Sequence, residues 1–170
     1  KAQLPELDLS NPLLAAWDTP HETPPFSEIK LADYEPAFDA AIACSRAEIE
    51  AIVNNPKKPT FGNTIVALER QGALLDRISG VFYNLLEAAT SDQMQEIALR
   101  VQPKLTELSN DVSLNPELFA RVKAVYEKPG RGLSKEDKKL LEDTYQSFAR
   151  NGAALSDADK ELYRKYTSEL

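Results

Sequence analysis

The single histidine and the single cysteine are the first residues to consider for chemistry. His21 is followed by Glu22, the order that opens the HExxH zinc motif, in which two histidines four residues apart on one helix bind the metal. Pro25 stands where the second histidine would be. A helix cannot continue through Pro24 and Pro25. His21 and Glu22 therefore indicate a solvent-facing turn and not half of a metal site.

Cys44 lies far from His21 in the sequence, so a metal site of nitrogen and sulfur ligands is nearly excluded. A catalytic Cys44 with His21 as its base is the alternative, but thiols outside disulfides are more often small buried apolar groups. One cysteine cannot form an internal disulfide, and it suits the cytosol or the periplasm. We predict no catalytic residue, no cofactor-binding residue and no metal ligand in this chain.

Neighbouring acidic residues could in principle serve as a general acid and a general base. They stand near the expected helix starts or on polar faces, where a carboxylate stays solvated and interacts well with the helix dipole. These pairs are Glu48 with Glu50, Glu136 with Asp137, and Asp157 with Asp159. Gly130 and Gly132 resemble a phosphate-binding loop only superficially, because no strand precedes them and no GK[ST] follows.

The composition is that of a folded, water-soluble protein. Of 170 residues, 42% are hydrophobic and 28% charged, which excludes disordered and fibrous classes. A net charge of -7 repels phosphate backbones, so nucleic acid is not expected as a partner. No apolar run approaches the roughly 20 residues of a membrane-spanning helix, so no membrane partner is expected either.

The apolar spacing predicts an all-α bundle of about six helices behind an extended, proline-rich arm, residues 1–30. Apolar side chains of the arm, among them Leu13 and Trp17, are expected to pack on the helices. The helices are predicted from Leu31 to the Asn54 region, from Phe61 to Ala89 with Thr60 or Asn63 as the cap, from a Thr90 cap to Val112, from an Asn115 cap to Pro129, from a Ser134 cap to Asn151 and from Ser156 onward. Pro103 should kink the third helix without ending it.

The beginning and end of the sequence suggest part of a longer protein. Lys1 is not a methionine, and the pattern at Leu170 is still helical. We therefore expect residues 31–170 to be one helical domain that is cut at its C-terminal end.

Three stretches occur in an order that is typical of one enzyme family. They are NPLL at Asn11 with YEPAFDAAI from Tyr34, the block from Asn54 to Tyr126, and the final LEDTYQSFARNGAALSDADKELYRKYTSEL. Together they resemble the N-terminal region of the M3 family of zinc metallopeptidases, and its peptidyl-dipeptidase branch more than its oligopeptidase A or thimet oligopeptidase branches. Gly62 departs from the usual PTFENT of the family, without touching a family ligand.

The resemblance implies a helical enzyme with a deep channel, in which zinc held by HExxH and a further glutamate activates water to cleave short peptides. That motif lies downstream of the matched region. The implied role of this chain is to form channel wall, with zinc in the full-length parent and none here. The implied partners are oligopeptide substrates and the C-terminal catalytic domain. The alternative is a stand-alone helical interaction module without enzymatic activity.

Overall fold

A computed structural model describes residues 4–19 and 23–169, and within these ranges every regular element is a helix. The predicted all-α class is confirmed. None of the described helices is both long and apolar enough to span a membrane. The elements are α1 Leu31–Val53, a π-helical turn Phe61–Val66 that continues into α2 Ala67–Arg70, α3 Ala73–Ala88, α4 Asp92–Ser113, α5 Pro116–Glu127, α6 Lys135–Arg150 and α7 Asp157–Ser168.

The single helix predicted from Phe61 to Ala89 is wrong, because the structure interrupts it after α2. Gln71 is extended, with ψ 151°, and Gly72 follows in the left-handed region with φ 76°. Only glycine adopts that backbone conformation at little cost. The apolar spacing predicted Gly72 to be one position of a continuous helical stripe. In the structure Gly72 is the N-cap of α3 and directly follows Gln71, the C-cap of α2.

Side-chain caps fix where most of the helices begin. Thr60, Asn115, Ser134 and Ser156 each accept a hydrogen bond from the backbone N–H three residues further on, which confirms these predicted starts. The Thr90 cap was wrong: the Oγ of Ser91 accepts from Met94 N at 3.2 Å, because α4 begins later than expected.

Helix α4 passes through Pro103 without ending, as predicted. The kink expected there stays a prediction. Because α4 is continuous, it supplies residues to both of the compact units into which the chain divides, and α1 does the same.

The first of these units, here called the arm unit, comprises the described residues of 3–47 together with Gly72–Leu105. Leu13 of the arm is fully buried in the same cluster as Phe38 of α1 and Phe82 of α3. The ring centroids of Phe38 and Phe82 are 5.5 Å apart and their planes are perpendicular, an arrangement favoured by the aromatic quadrupole. The proline-rich segment is therefore part of a core.

The second unit, here called the α5–α6 unit, comprises Glu48–Gln71 and the described residues of 106–170. Its core is formed by buried aliphatic residues of several elements, including Ile65, Leu118 and Val122. Beside them, aromatic rings of α5 and α6 stack face to face. The closest rings are Tyr126 and Tyr145, whose centroids lie 4.0 Å apart at an interplanar angle of 6°. Stacking of this kind adds to the energy of burial.

Gly152 ends α6 in a conformation that excludes a side chain, which gives a test of the fold. Its φ is +88°, and an added Cβ would lie 2.8 Å from Leu155 Cδ1 and 3.2 Å from Leu114 Cδ2. We expect Gly152→Ala to lower the free energy of unfolding by about 1 to 2 kcal/mol, since left-handed backbone is costly for alanine.

The control for this variant is Gly62→Ala. Nothing lies within 4 Å of a Cβ at Gly62, and its φ is not positive. Alanine there should stabilise the chain by about 0.5 to 1 kcal/mol. Urea unfolding followed by circular dichroism compares the two, and equal effects from both substitutions would contradict the assignment of Gly152.

Candidate functional site

Among the residues that the structure describes, the candidates for chemistry form no metal-binding group. His21 and Glu22 lie outside the described residues. Cys44 is buried in α1 with 7% of its surface exposed, as suits a core residue. Within residues 4–19 and 23–169, no three His, Cys, Asp or Glu side chains are grouped so that they could hold a metal ion. The absence of catalytic, cofactor and metal residues stays a prediction.

Two of the acidic residues have structural partners at helix starts. Asp137 Oδ2 accepts a hydrogen bond from the backbone N–H of Ser134 at 3.2 Å. Asp159 Oδ2 accepts one from the Ser156 hydroxyl at 2.7 Å. These carboxylates close the first turns of α6 and α7, where negative charge also suits the helix dipole. The contacts account for both carboxylates without any catalytic role.

The two loop glycines are likewise explained by backbone geometry. Gly130 and Gly132 have φ values of 83° and 86° in the connection between α5 and α6. A phosphate-binding loop follows a strand, whereas this connection follows a helix. These glycines therefore shape a turn.

An open groove of about 630 Å³ lies between α1 and α4 in the arm unit, and we call it the charged groove. Its lining includes the apolar residues Leu31 and Ile97. It also includes acidic residues of α1 and charged residues of α4, namely Glu35, Asp39, Glu96 and Arg100.

Two acidic residues of the charged groove already have cationic partners on α4. Arg100 Nε lies 2.9 Å from Glu35 Oε2, and Lys104 Nζ, beside the groove, lies 2.6 Å from Asp39 Oδ1. All four side chains are between a third and about a half exposed, so each pair contributes less than about 1 kcal/mol. The charged groove therefore presents a surface of mixed charge in which Glu35 and Asp39 are paired.

The charged groove was not predicted from the sequence, although the sequence contains a signal for it. Glu35 and Asp39 stand four residues apart on one helix, and Arg100 and Lys104 stand four apart on another. Each pair therefore forms one charged stripe of a helix face. Matching two stripes of opposite sign would have suggested that α1 and α4 are neighbours.

Two half-buried arginines hold loops in place. Arg77 Nη2 donates to the carbonyl oxygens of Leu13 at 2.9 Å and Ala15 at 3.2 Å, and its guanidinium lies 4.6 Å from the ring centroid of Trp17. In the α5–α6 unit, Arg121 Nη1 donates to the carbonyl of Asn55 at 3.0 Å. Burial lowers the pKa of both guanidinium groups from the ordinary value.

Comparison with known proteins shows which proteins the chain is similar to. No family model matches it. It is 42% identical over 161 residues to the dipeptidyl carboxypeptidase of Salmonella typhimurium, a match that covers 94% of this chain and 24% of that protein. The Escherichia coli dipeptidyl carboxypeptidase is 42% identical over 160 residues with the same coverage. Oligopeptidase A of Salmonella typhimurium is 25% identical over 163 residues, covering 95% of this chain and 23% of that protein.

These matches confirm the resemblance found in the sequence: the chain is similar to the N-terminal region of M3 family peptidases. It is more similar to the two dipeptidyl carboxypeptidases than to the oligopeptidase A given above. The chain spans about a quarter of the length of these curated relatives.

The contacts of Arg77 with Leu13, Ala15 and Trp17, here called the Arg77 clamp, should hold the arm in place. Arg77→Ala leaves the carbonyls of Leu13 and Ala15 without this donor and removes the cation from the Trp17 ring, so we expect a loss of about 1 to 3 kcal/mol of unfolding free energy. Arg77→Lys should also lower the free energy of unfolding, but by less than Arg77→Ala, since an ammonium cannot donate in a fixed plane.

The matched control is Arg131→Ala, because Arg131 is exposed in a loop and should change the free energy by no more than about 0.5 kcal/mol. Urea unfolding measures all three variants. A loss from Arg77→Ala as small as that of the control would show that the clamp does not hold the arm.

Alkaline pH should weaken the arm unit through its buried tyrosines. Burial, and secondarily the charge of Asp33, raises the pKa of Tyr34, and burial raises the pKa of Tyr83. The neutral phenols therefore contribute stability in full below the unfolded-state pKa of about 10, and this contribution is lost as the pH rises through the higher folded-state pKa. Tyr34→Phe should flatten the fall in unfolding free energy above about pH 10, and adding Tyr83→Phe should flatten it further. Unchanged slopes in urea titrations would refute this.

Proposed function

We propose that this chain is the N-terminal helical part of a zinc-dependent peptidyl-dipeptidase of the M3 family. The observation that carries the proposal is the 42% identity to dipeptidyl carboxypeptidases over 94% of the chain, against 24% of their length. An enzyme of this kind would release dipeptides from the C-termini of oligopeptides. The parent would therefore extend well beyond these residues.

Within that parent, we assign the chain a structural role in the wall of the substrate channel. A wall of this kind admits short peptides and keeps folded proteins out. The proposal is supported by the all-helical fold of the described residues and by their open charged groove. The catalytic HExxH motif is placed elsewhere in the parent, since the motif needs two histidines and this chain has one.

The proposed zinc site also belongs to the parent. The described residues do not fit a zinc ion, because no suitable group of ligands is formed among them. When bound, zinc would supply the activated water for peptide hydrolysis. The proposed partners are oligopeptides and the catalytic domain of the same polypeptide, in either the cytoplasm or the periplasm.

The proposal is tested with the polypeptide encoded by the complete reading frame that contains these residues. It should release dipeptides from an unstructured oligopeptide, detected by mass spectrometry, and should lose this activity on chelation and regain it with zinc. The same peptide sequence within a folded protein should stay intact. The chain of residues 1–170, as the matched control, should hydrolyse neither.

Two results would overturn the assignment. A reading frame without HExxH and a downstream glutamate would remove the peptidase. Stoichiometric zinc with peptide hydrolysis in the chain of residues 1–170 would place the site here after all.

A further inference from the structure

Helix α7 exposes two large apolar side chains. Leu162 and Tyr166, four residues apart on one face of the helix, are 48% and 57% exposed. We call these two residues the apolar face of α7. No residue of α7 is buried, and of its large apolar residues Tyr163 alone is partly covered. A surface helix ordinarily turns its apolar stripe toward a core, whereas α7 leaves this pair uncovered.

The partly buried side of α7 carries mainly polar groups. Its residues recur at the helical spacing of three and four: Lys160, Tyr163, Arg164 and Thr167. Arg164 Nη1 donates to Asp111 Oδ1 of α4 at 2.7 Å, and Asn110 of α4 donates to the Thr167 hydroxyl at 2.8 Å. These polar contacts hold the partly buried side of α7 against α4 within the α5–α6 unit and leave the apolar face of α7 on the opposite side.

We propose that the apolar face of α7 is an internal docking surface for the part of the parent peptidase that lies outside residues 1–170. This inference rests on the proposed function. The relatives are about four times as long as this chain, which covers 24% of them, so the parent supplies ample polypeptide to cover the face. Exposed apolar side chains in a fixed array are typical of a surface that another element covers.

The surroundings of the face favour docking within one polypeptide. Glu161 and Lys165 flank Leu162 and Tyr166 along the helix and are exposed, so the apolar centre has a charged rim of both signs. That is the usual anatomy of an interface between protein surfaces, in which the centre carries the binding energy and the rim stays wet. A tyrosine at the centre suits it, since its ring adds area at low entropic cost.

The experiment compares two double variants in two polypeptides. Leu162→Ala with Tyr166→Ala removes the apolar face, and Glu161→Ala with Lys165→Ala is the matched control, which has the same spacing, keeps the net charge and ends in the same helix-favouring residue. Both pairs are exposed in the chain of residues 1–170, so neither should shift its melting temperature by much. In the parent, the apolar pair should shift the melting temperature downward, and the control pair should not.

Hydroxyl-radical footprinting gives a second readout that needs no variant. Leu162 and Tyr166 should be oxidised in the chain of residues 1–170 and protected in the parent. Sedimentation velocity of both polypeptides shows whether a second copy covers the face instead.

Each other outcome overturns the inference. If the two pairs behave alike in the parent, or if Tyr166 is oxidised equally in both polypeptides, the face is not covered. If the apolar pair dissolves a dimer, its occupant is a second copy. A parent that is an active peptidase with an uncovered face refutes this inference alone, whereas a reading frame that encodes no further domain refutes the proposed function as well.

Discussion

The anchoring of the arm in the core of the arm unit is the contact on which the N-terminal part of the chain depends. A segment rich in proline forms few regular backbone hydrogen bonds, so its carbonyl oxygens need donors from elsewhere. Arg77 donates to two of these carbonyls, and in the opposite direction the Asn11 side chain of the arm donates to the carbonyl of Asp33 in α1. Leu13 can then be fully buried against Phe82, because the backbone that carries it is satisfied.

Most of the helix boundaries could be predicted because they are local. A serine, threonine or asparagine that caps a helix acts on an N–H three residues away, and both partners stand together in the sequence. The interruption at Gly72 could not be predicted from spacing, since apolar residues keep the same rhythm on both sides of it. The partners of Arg77 and Arg121 were also out of reach, because these contacts join residues more than fifty positions apart.

The division into two compact units was equally hidden from the sequence. Two boundaries lie inside continuous helices, at Ala47 and Glu48 in α1 and at Leu105 and Thr106 in α4, so no linker marks them. A third, at Gln71 and Gly72, coincides with the interruption between α2 and α3. The sequence has a single histidine, so few catalytic or metal-binding patterns could be predicted from it. The charged groove depends on ion pairs between α1 and α4, which are distant in the sequence. The relationship to M3 family peptidases was recognisable because long matches occur in the right order, although none of them is a catalytic motif.

Trp17 gives the arm an optical property of its own. It is the one tryptophan of the sequence, its indole N–H donates to the carbonyl of Pro12 at 3.0 Å, and the guanidinium of Arg77 lies over its ring. Its emission therefore senses the local surroundings of the arm, while far-ultraviolet dichroism senses all the helices. The chain thus carries a built-in fluorophore that distinguishes release of the arm from melting of the helices.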